Sequence, residues 1–322
     1  MGDSVPRIAR ARRRIPGAML ADSGSGEPSY NVRWEKAMDQ NNEQASILVQ
    51  ALPYIRSFSG KTVVIKHGGH AMTDADLTRN VIRDVVLMHS VGMNPIIVHG
   101  GGPEVNAAMK KIGKQPEFVN GLRVTDPETM EIVEMVLSGK TNKGIVSTIN
   151  TLGAKGVGLS GKDANLIEAD KATCEVDLGC VGEVKQINAG ILLDLLGLGY
   201  IPVISSVAIG PSGESFNVNA DHVAGEIAVA VNASKLIMVT DVPGIYRDFE
   251  DKSSLISELH TADAKEMIAR GEISKGMIPK VEACVTALLG GVERAHIIDG
   301  TAPHSLLMEV FTDSGIGTMM LP

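Results

Sequence analysis

The sequence has 322 residues, of which 44% are hydrophobic and 21% are charged, and its formal net charge is -8. This length suits one large α/β domain or two joined lobes. The acidic balance argues against nucleic-acid binding by the folded body, because phosphate backbones attract basic surfaces. No apolar run approaches the ~20 residues that a membrane-spanning helix needs, so we expect a soluble protein without a membrane partner.

Cysteine and histidine spacing indicates no structural metal. The three cysteines, Cys174, Cys180 and Cys284, show no CxxC spacing, and the eight histidines include no HExxH pair. A disulfide framework and a zinc site are therefore disfavoured, and a reducing compartment is expected.

The N-terminal segment differs in composition from the rest. Five arginines and no acidic residue fall within residues 4–21, and a Gly/Ser stretch follows at residues 23–26. This composition predicts a tail over residues 1–30 that is either part of a transit peptide for import into an organelle or a disordered segment. An apolar stripe then predicts a helix over residues 31–57, which Pro53 bends or ends.

From Lys61 onward, short apolar runs alternate with helical patterns. The predicted strands cover residues 62–66, 95–99, 156–159, 201–205, 236–240 and 295–298. The predicted helices cover residues 74–91, 103–111, 127–137, 189–198, 220–231 and 278–289. The alternation predicts a three-layer αβα sandwich with a central, mainly parallel sheet. Two more polar stretches, residues 166–186 and 207–218, are expected to be β-hairpins on that sheet.

Two glycine-rich turns each follow a predicted strand. The first reads Lys66-His67-Gly68-Gly69, and the second is the HGGGP run at residues 99–103. A strand, a glycine turn and a helix start form an anion site, because bare backbone N–H groups and the helix dipole face the ligand. One turn could hold a transferring phosphoryl group and the other its acceptor, although each alone can also be a simple tight turn.

Two nucleotide-binding patterns are disfavoured. No GxGxxG follows the first strand, which argues against a Rossmann dehydrogenase. Residues 156–163 nearly match the Walker A pattern, but Asp163 stands where Ser or Thr would ligate magnesium. We interpret this match as a coincidence of spacing, because a carboxylate there would repel phosphates.

Four polar clusters follow later predicted elements. Arg123 lies in a turn-like segment, where its planar fork suits a carboxylate, although a surface arginine would show the same pattern. Asn219 can cap the helix that begins after it, but capping does not explain Asn217 and Asp221. Residues 240–246 end a strand with a turn of the kind where nucleotides bind in open α/β sheets. Lys280 near a helix start opposes the dipole and hints at a nearby anion.

Taken in order, the motifs KxGG, HGGGP, NGLRVT, GLSGKD, NVNAD, TDVPGIY and GMIPK resemble those of the amino acid kinase family. The resemblance runs from about Lys61 to the C-terminus. It implies the amino acid kinase fold, with residues 59–205 forming an N-terminal lobe for acceptor binding and dimerisation and residues 206–322 forming a C-terminal lobe for ATP. The motifs NGLRVT and NVNAD imply ATP-dependent phosphorylation of the side-chain carboxylate of N-acetyl-L-glutamate, a step in arginine biosynthesis.

The resemblance also implies roles for individual residues. Lys66 and Lys280 would lie on the transferring phosphoryl group, and Asp221 would hold both lysines. The implied acceptor-binding residues are Gly68, Gly69, Gly101, Gly102, Arg123 and Asn217, and the implied ATP-binding residues are Thr240, Asp241, Gly244, Tyr246 and Lys280. ATP would enter with Mg²⁺, without a metal bound by the protein itself. His67 and His70 depart from the family pattern. The two histidines could change the substrate affinity or the pH response of the site, or they could only pack against neighbouring side chains.

The chemistry agrees with this resemblance. A glutamate carboxyl with a pKa near ~4.3 is already ionised at neutral pH, so no general base is needed. The obstacle is repulsion between an anionic acceptor and ATP, which lysines, glycine N–H groups and Mg²⁺ would neutralise.

The C-terminal stretch (residues 304–309 and 315–319) and the N-terminal helix (residues 31–58) resemble those of the arginine-inhibited branch of the family. That resemblance implies a homohexamer, built as a trimer of dimers, and an arginine site near the helix with Glu309 as main partner. Lys235, His304 and Gly317 are further candidates, and a solvated Glu309 is the alternative. Resemblance to plant and algal plastid members also implies a chloroplast location and a PII-type signalling partner.

Two rival functions stay open at this point. One is a family kinase for carbamate or another carboxylate acceptor, which Arg123 and the Asn217–Asp221 cluster disfavour. The other is a catalytically idle scaffold that senses arginine or binds PII. The charged set of Lys66, Asp221 and Lys280 disfavours the scaffold, which has no need of such a cluster beside glycine turns.

Overall fold

The computed structural model describes residues 42, 45–46, 49–72, 74–173, 175–312 and 315–322. The chain divides into two units, Met1–Gln50 and Ala51–Pro322. In the first unit, the described positions from residue 42 onward are helical, and in the second unit residues 51–58 are helical. The predicted tail and the start of the predicted N-terminal helix, residues 1–41, lie outside the described residues.

The second unit contains an eight-stranded sheet. Its strands are β1 (Thr62–His67), β2 (Asn94–His99), β5 (Gly156–Ser160), β8 (Ile201–Ser205), β11 (Lys235–Thr240), β12 (Glu258–His260), β13 (Arg294–Asp299) and β14 (Thr318–Leu321). The order is β12-β14-β13-β11-β1-β2-β8-β5. Every neighbouring pair is parallel except β13 and β14. The predicted, mainly parallel sheet is therefore confirmed.

Helices cover both faces of this sheet. They are α1 (Ala75–Ser90), α2 (Gly102–Lys111), α3 (Pro127–Glu134), α4 (Asn142–Thr151), α5 (Gly190–Gly197), α6 (Ala220–Ala230), α7 (Thr261–Ala269), α8 (Ile278–Leu289) and α9 (Ser305–Phe311). Alternate residues of β1 enter different hydrophobic cores: Val64 packs with residues of α6 and α8, whereas Val63 and Ile65 pack with residues of α1, α4 and α9. This alternation along one strand confirms the predicted three layers.

The two polar stretches do form hairpins, but the prediction that they lie on the main sheet is wrong. Strands β6 (Ile167–Lys171), β7 (Val181–Ile187), β9 (Val207–Ile209) and β10 (Ser215–Val218) close into a separate small barrel. Along β10, and at the start of β6, buried side chains alternate with more accessible ones, whereas every residue of the central strands β8 and β11 of the main sheet is buried. The barrel takes strands from both sides of the predicted 205/206 lobe boundary, and that boundary stays a prediction.

The helix predicted over residues 127–137 continues farther than expected. Helix α3 passes into a π-helix at Met135–Thr141 and then into α4. Asn142 begins α4, and its buried side chain donates hydrogen bonds to Val203 O at 2.9 Å and to Leu159 O at 3.3 Å. These tertiary contacts hold a segment whose Ser-Gly sequence would otherwise end a helix.

Within the described residues, no helix combines the length and apolar character needed to cross a membrane. Strands β3 (Phe118–Val119) and β4 (Leu122–Arg123) form a separate two-stranded hairpin.

Candidate active site

Three charged side chains from distant parts of the chain meet at one point. Lys66 is the penultimate residue of β1, just before the first glycine turn, Asp221 lies in the first turn of α6, and Lys280 lies in the first turn of α8. Lys66 Nζ is 2.7 Å from Asp221 Oδ1, and Lys280 Nζ is 3.3 Å from Asp221 Oδ2. The structure therefore brings together the three residues predicted to be catalytic.

This cluster carries more positive than negative charge. Burial raises the pKa of Asp221, but the ammonium groups of Lys66 and Lys280 outweigh burial, so its pKa lies below the usual range. One carboxylate thus faces two ammonium groups in a largely buried place. Asn219 caps α6 by accepting a hydrogen bond from Asp221 N at 2.7 Å, which fixes the start of the helix that carries the Asp221 carboxylate. The net positive charge of this cluster favours the binding of an anionic ligand.

A cavity of about 320 Å³ opens beside Lys66. Its walls include every residue predicted for the acceptor: Gly68, Gly69, Gly101, Gly102, Arg123 and Asn217. At two of these positions a side chain would collide with a neighbouring side chain. A Cβ at Gly68 would overlap Lys66 Nζ, and a Cβ at Gly101, where φ is 155°, would lie 2.5 Å from Leu137 Cδ2. The glycines therefore let a lysine and an apolar wall approach the turns closely.

Arg123 lies inside the protein rather than on its surface, since its exposed fraction is 7%. Its Nη2 donates hydrogen bonds to Asn106 Oδ1 at 2.6 Å and to Gly102 O at 3.2 Å. The ring of Phe118 lies 4.8 Å from its guanidinium carbon. Burial lowers the pKa of Arg123. The surface interpretation of Arg123 is thereby excluded.

A short hydrogen-bonded chain connects Asn217 to the same segment. Asn217 Nδ2 donates to Thr125 Oγ1 at 3.2 Å, and Thr125 Oγ1 donates to Arg123 O at 2.8 Å. Two predicted acceptor residues from separate motifs are thus held by one buried threonine. Sequence reasoning did not single out Asn106 or Phe118, although Asn106 lies on the helix that directly follows the second glycine turn.

A second cavity, of about 370 Å³, opens beside Lys280. Its walls include all five residues predicted for the nucleotide: Thr240, Asp241, Gly244, Tyr246 and Lys280. An aromatic wall is added by Phe249, whose ring packs edge-on against Tyr246 with centroids 5.9 Å apart. Lys66 lines the first cavity and Lys280 lines the second, so Asp221 pairs with one lysine from each.

The residues predicted for arginine divide into two groups. Lys235 Nζ is 3.1 Å from His296 Nε2, and His296 Nδ1 contacts Glu309 Oε1. Glu309 is only 8% exposed, so the solvated interpretation is excluded. His304 instead pairs with Asp84, at 2.7 Å between Nδ1 and Oδ1.

His296 was missed by sequence reasoning. The available signal was a histidine within the apolar strand β13, which predicts a partner inside the protein. Gly317 lies against the backbone of β13, where a Cβ would overlap Ile297 O.

The Walker-like run has a structural explanation. Its first half is edge strand β5, and Asp163 accepts hydrogen bonds from Ser160 N at 2.6 Å and Ser160 Oγ at 2.9 Å. Lys162 pairs with Glu134 at 3.0 Å. These local contacts account for the polar residues of the run and agree with a coincidence of spacing.

The two unusual histidines are only partly described. His67 is completely buried, and burial lowers its pKa to about 3. Neither of its ring nitrogens has a hydrogen-bond partner among the described residues. The side chain of His70 lies outside the described part of the chain.

Comparison with known proteins agrees with this geometry. Residues 61–299 match the amino acid kinase family. A protein of Moorella thermoacetica named acetylglutamate kinase is 55% identical over 289 residues, which cover 87% of this chain and 98% of that protein. A protein of the same name from Pelotomaculum thermopropionicum is 56% identical over 288 residues, covering 86% and 98%.

Solved structures show the same fold at lower identity. N-acetylglutamate synthase from Neisseria gonorrhoeae, complexed with coenzyme A and N-acetyl-glutamate, has a TM-score of 0.76 at 24% identity, covering 86% of this chain and 63% of that chain. This chain therefore spans less than two thirds of that synthase. Carbamate kinase from Giardia lamblia bound to AMP-PNP has a TM-score of 0.58 at 16% identity, covering 81% and 98%. The family match, together with relatives more than half identical over most of their length, shows that this chain belongs to the amino acid kinase family.

Proposed function

We propose that this chain transfers the terminal phosphoryl group of Mg-ATP to the side-chain carboxylate of N-acetyl-L-glutamate, giving an acyl phosphate in arginine biosynthesis. The observation that carries the proposal is the single carboxylate of Asp221 paired with two lysines, each of which lines a different cavity. The names of the relatives from Moorella and Pelotomaculum support the choice of acceptor.

In this mechanism the acceptor occupies the cavity beside Lys66 and the nucleotide occupies the cavity beside Lys280. The acceptor carboxylate oxygen bonds to the terminal phosphorus, the bond between that phosphorus and its bridging oxygen breaks, and ADP leaves. Lys66 and Lys280 neutralise charge as it redistributes over the phosphoryl oxygens, and Asp221 positions both ammonium groups. Mg²⁺ enters with ATP and neutralises part of its charge.

The glycine turns and the amide groups complete the acceptor site. Backbone N–H groups of Gly68, Gly69, Gly101 and Gly102 would bind phosphoryl or carboxylate oxygens, because no side chain shields them. Arg123 and Asn217 would bind the remaining carboxylate of the acceptor. No general base is required, since the acceptor is already ionised.

Trapping the product tests the reaction directly. The protein is mixed with Mg-ATP, N-acetyl-L-glutamate and hydroxylamine, and acyl-hydroxamate is followed by its colour with iron. We expect hydroxamate with N-acetyl-L-glutamate, and little with aspartate or glutamate. Hydroxamate with another acceptor alone would reassign the substrate, and its absence with every acceptor would favour the scaffold alternative.

We also propose that arginine inhibits the reaction. The support is the buried pair of Glu309 and His296, with Lys235 beside it, since a guanidinium ligand needs a carboxylate partner.

The lobe division at residue 205, the homohexamer, the PII-type partner and the plastid location rest on sequence resemblance. The two relatives named above are bacterial and do not support the plastid location. Light scattering with and without arginine tests the hexamer.

A further inference from the structure

The contacts of Arg123 leave its charge without a counter-ion. Nη2 donates to two neutral oxygens, Asn106 Oδ1 at 2.6 Å and Gly102 O at 3.2 Å, and Nη1 donates to the sulfur of Met109 at 3.3 Å. Burial is the cause that lowers its pKa, and within the described part of the chain no carboxylate forms an ion pair with it. A buried cation held only by neutral groups attracts an anion strongly, because little else compensates its charge.

These contacts also decide which way the guanidinium faces. Both protons of Nη2 are engaged, so the plane of the group cannot rotate without breaking the 2.6 Å hydrogen bond to Asn106. The ring of Phe118 packs against the group, with 4.8 Å between the ring centroid and the guanidinium carbon. The guanidinium is therefore preorganised before any ligand arrives, while Arg123 still lines the cavity of about 320 Å³.

We propose that Asn106 is a positioning residue for acceptor binding. Its amide oxygen orients Arg123 without neutralising it, so the full positive charge stays available to a carboxylate in the cavity. Aspartate at this position would keep an oxygen in the same place but would form an ion pair with Arg123. The neutrality of Asn106 is thus as important as its hydrogen bond. The identity of the carboxylate, that of N-acetyl-L-glutamate, rests on the proposed function.

Calorimetric titration with N-acetyl-L-glutamate in the absence of ATP tests this proposal, because it separates binding from turnover. Asn106→Ala loses a hydrogen bond to a charged group, and we expect binding about tenfold weaker than in the wild type. Asn106→Asp brings a competing carboxylate to Arg123, and we expect binding about a hundredfold weaker. Thermal unfolding without ligand should show Asn106→Asp to be at least as stable as Asn106→Ala, since the aspartate gains an ion pair.

Ala107→Asp is the matched control. Ala107 is the next residue of α2 and is exposed, so this variant adds the same charge without contacting Arg123, and its binding should stay within about twofold of the wild type. Asn106→Asp that binds as tightly as the wild type would overturn the proposal, as would a wild type that does not bind N-acetyl-L-glutamate.

The proposed function can fail separately from this inference. A wild type that binds the acceptor but yields no hydroxamate refutes the reaction and keeps the role of Asn106. A wild type that yields hydroxamate, together with Asn106→Asp of unchanged affinity, keeps the reaction and refutes the role of Asn106.

Discussion

Asp221 holds the ammonium group of Lys66 at 2.7 Å, and each of the two side chains is only 8% exposed. Removing one partner of a buried ion pair leaves the other charge uncompensated. We therefore expect Asp221→Asn to lower the free energy of unfolding by about 3–5 kcal/mol, measured by urea denaturation at pH 7. An unchanged denaturation midpoint would show that the pair contributes nothing to stability.

The same pair predicts a pH dependence. The pKa of Asp221 in the folded state lies below its unfolded value of ~3.9, because the two lysines outweigh burial. The contribution of the pair to stability is therefore fully present above about pH 4 and is lost as the pH falls through the folded-state pKa. The difference in free energy of unfolding between the wild type and Asp221→Asn should therefore become smaller in that acid range. A difference that stays constant down to pH 3 would contradict a lowered pKa for Asp221.

The two lysines and Arg123 should affect different kinetic constants. Lys66→Ala and Lys280→Ala remove charge that acts on the phosphoryl group, so we expect kcat to fall by about 100–1,000-fold. Arg123→Ala removes a contact to the unreactive carboxylate, so we expect KM for the acceptor to rise by about 10–100-fold with a smaller change in kcat. Initial rates with each substrate varied in turn separate these effects. Wild-type kcat in Lys280→Ala would show that its placement in the mechanism is wrong.

Gly68 should be required for the position of Lys66. An alanine Cβ at Gly68 would overlap Lys66 Nζ, so the lysine side chain would have to move away. The displaced ammonium would leave both its productive position and its ion pair with Asp221. We therefore expect kcat about a hundredfold lower, together with a lower melting temperature.

Gly144→Ala is the control for this prediction. Gly144 lies in α4, lines neither of the two cavities, and a Cβ there would meet nothing within 4 Å. Its kcat should stay near that of the wild type. Equal losses of kcat in the two variants would mean that the loss in Gly68→Ala does not come from the displacement of Lys66.

His67 should weaken the fold in acid. Burial lowers its pKa to about 3, whereas the unfolded chain has the usual value of ~6.5. As the pH falls below ~6.5, the unfolded state binds a proton that the folded state cannot bind, so the free energy of unfolding falls by about 1.4 kcal/mol per pH unit until about pH 3. His67→Leu should remove the contribution of His67 to this slope, measured by urea denaturation from pH 7 to pH 4.5.

His260→Gln serves as the control, because the side chain of His260 is 55% exposed. It should keep the acid slope of the wild type. His99, also buried and with its pKa lowered by burial to about 4, should leave part of the slope in His67→Leu. A slope in His67→Leu as steep as that of the wild type would show that His67 takes up its proton in the folded state.

Glu309 should determine the response to arginine. Glu309→Gln keeps the size of the side chain but removes the charge that would bind a guanidinium, so we expect the inhibitory arginine concentration to rise at least about tenfold, with activity in the absence of arginine retained. The inhibitory concentration is measured from hydroxamate formation at a series of arginine concentrations. Glu293→Gln, at an exposed position, is the control. Inhibition unchanged in Glu309→Gln would remove this residue from the arginine site.

Local patterns in the sequence were sufficient for most of the fold. Apolar runs and glycine turns predicted the parallel sheet, because strands buried on both faces need continuous apolar residues. The same patterns failed at the barrel, since a hairpin with one buried face does not show which core it joins. They also failed at the π-helix, where the buried contacts of Asn142 override the weak helix propensity of Ser-Gly.

The sequence by itself determined the family motifs, the residues of the two glycine turns and Lys66 beside the first turn, because each depends on residues close together in the chain. Only the tertiary structure decided that Asn106 and Phe118 contact Arg123, that His296 joins Lys235 to Glu309, and that His304 pairs with Asp84, 220 positions away. Such pairings depend on how helices cross the sheet and which side chains become buried together. No local pattern encodes them, since a buried charge finds its partner only when separate elements have packed.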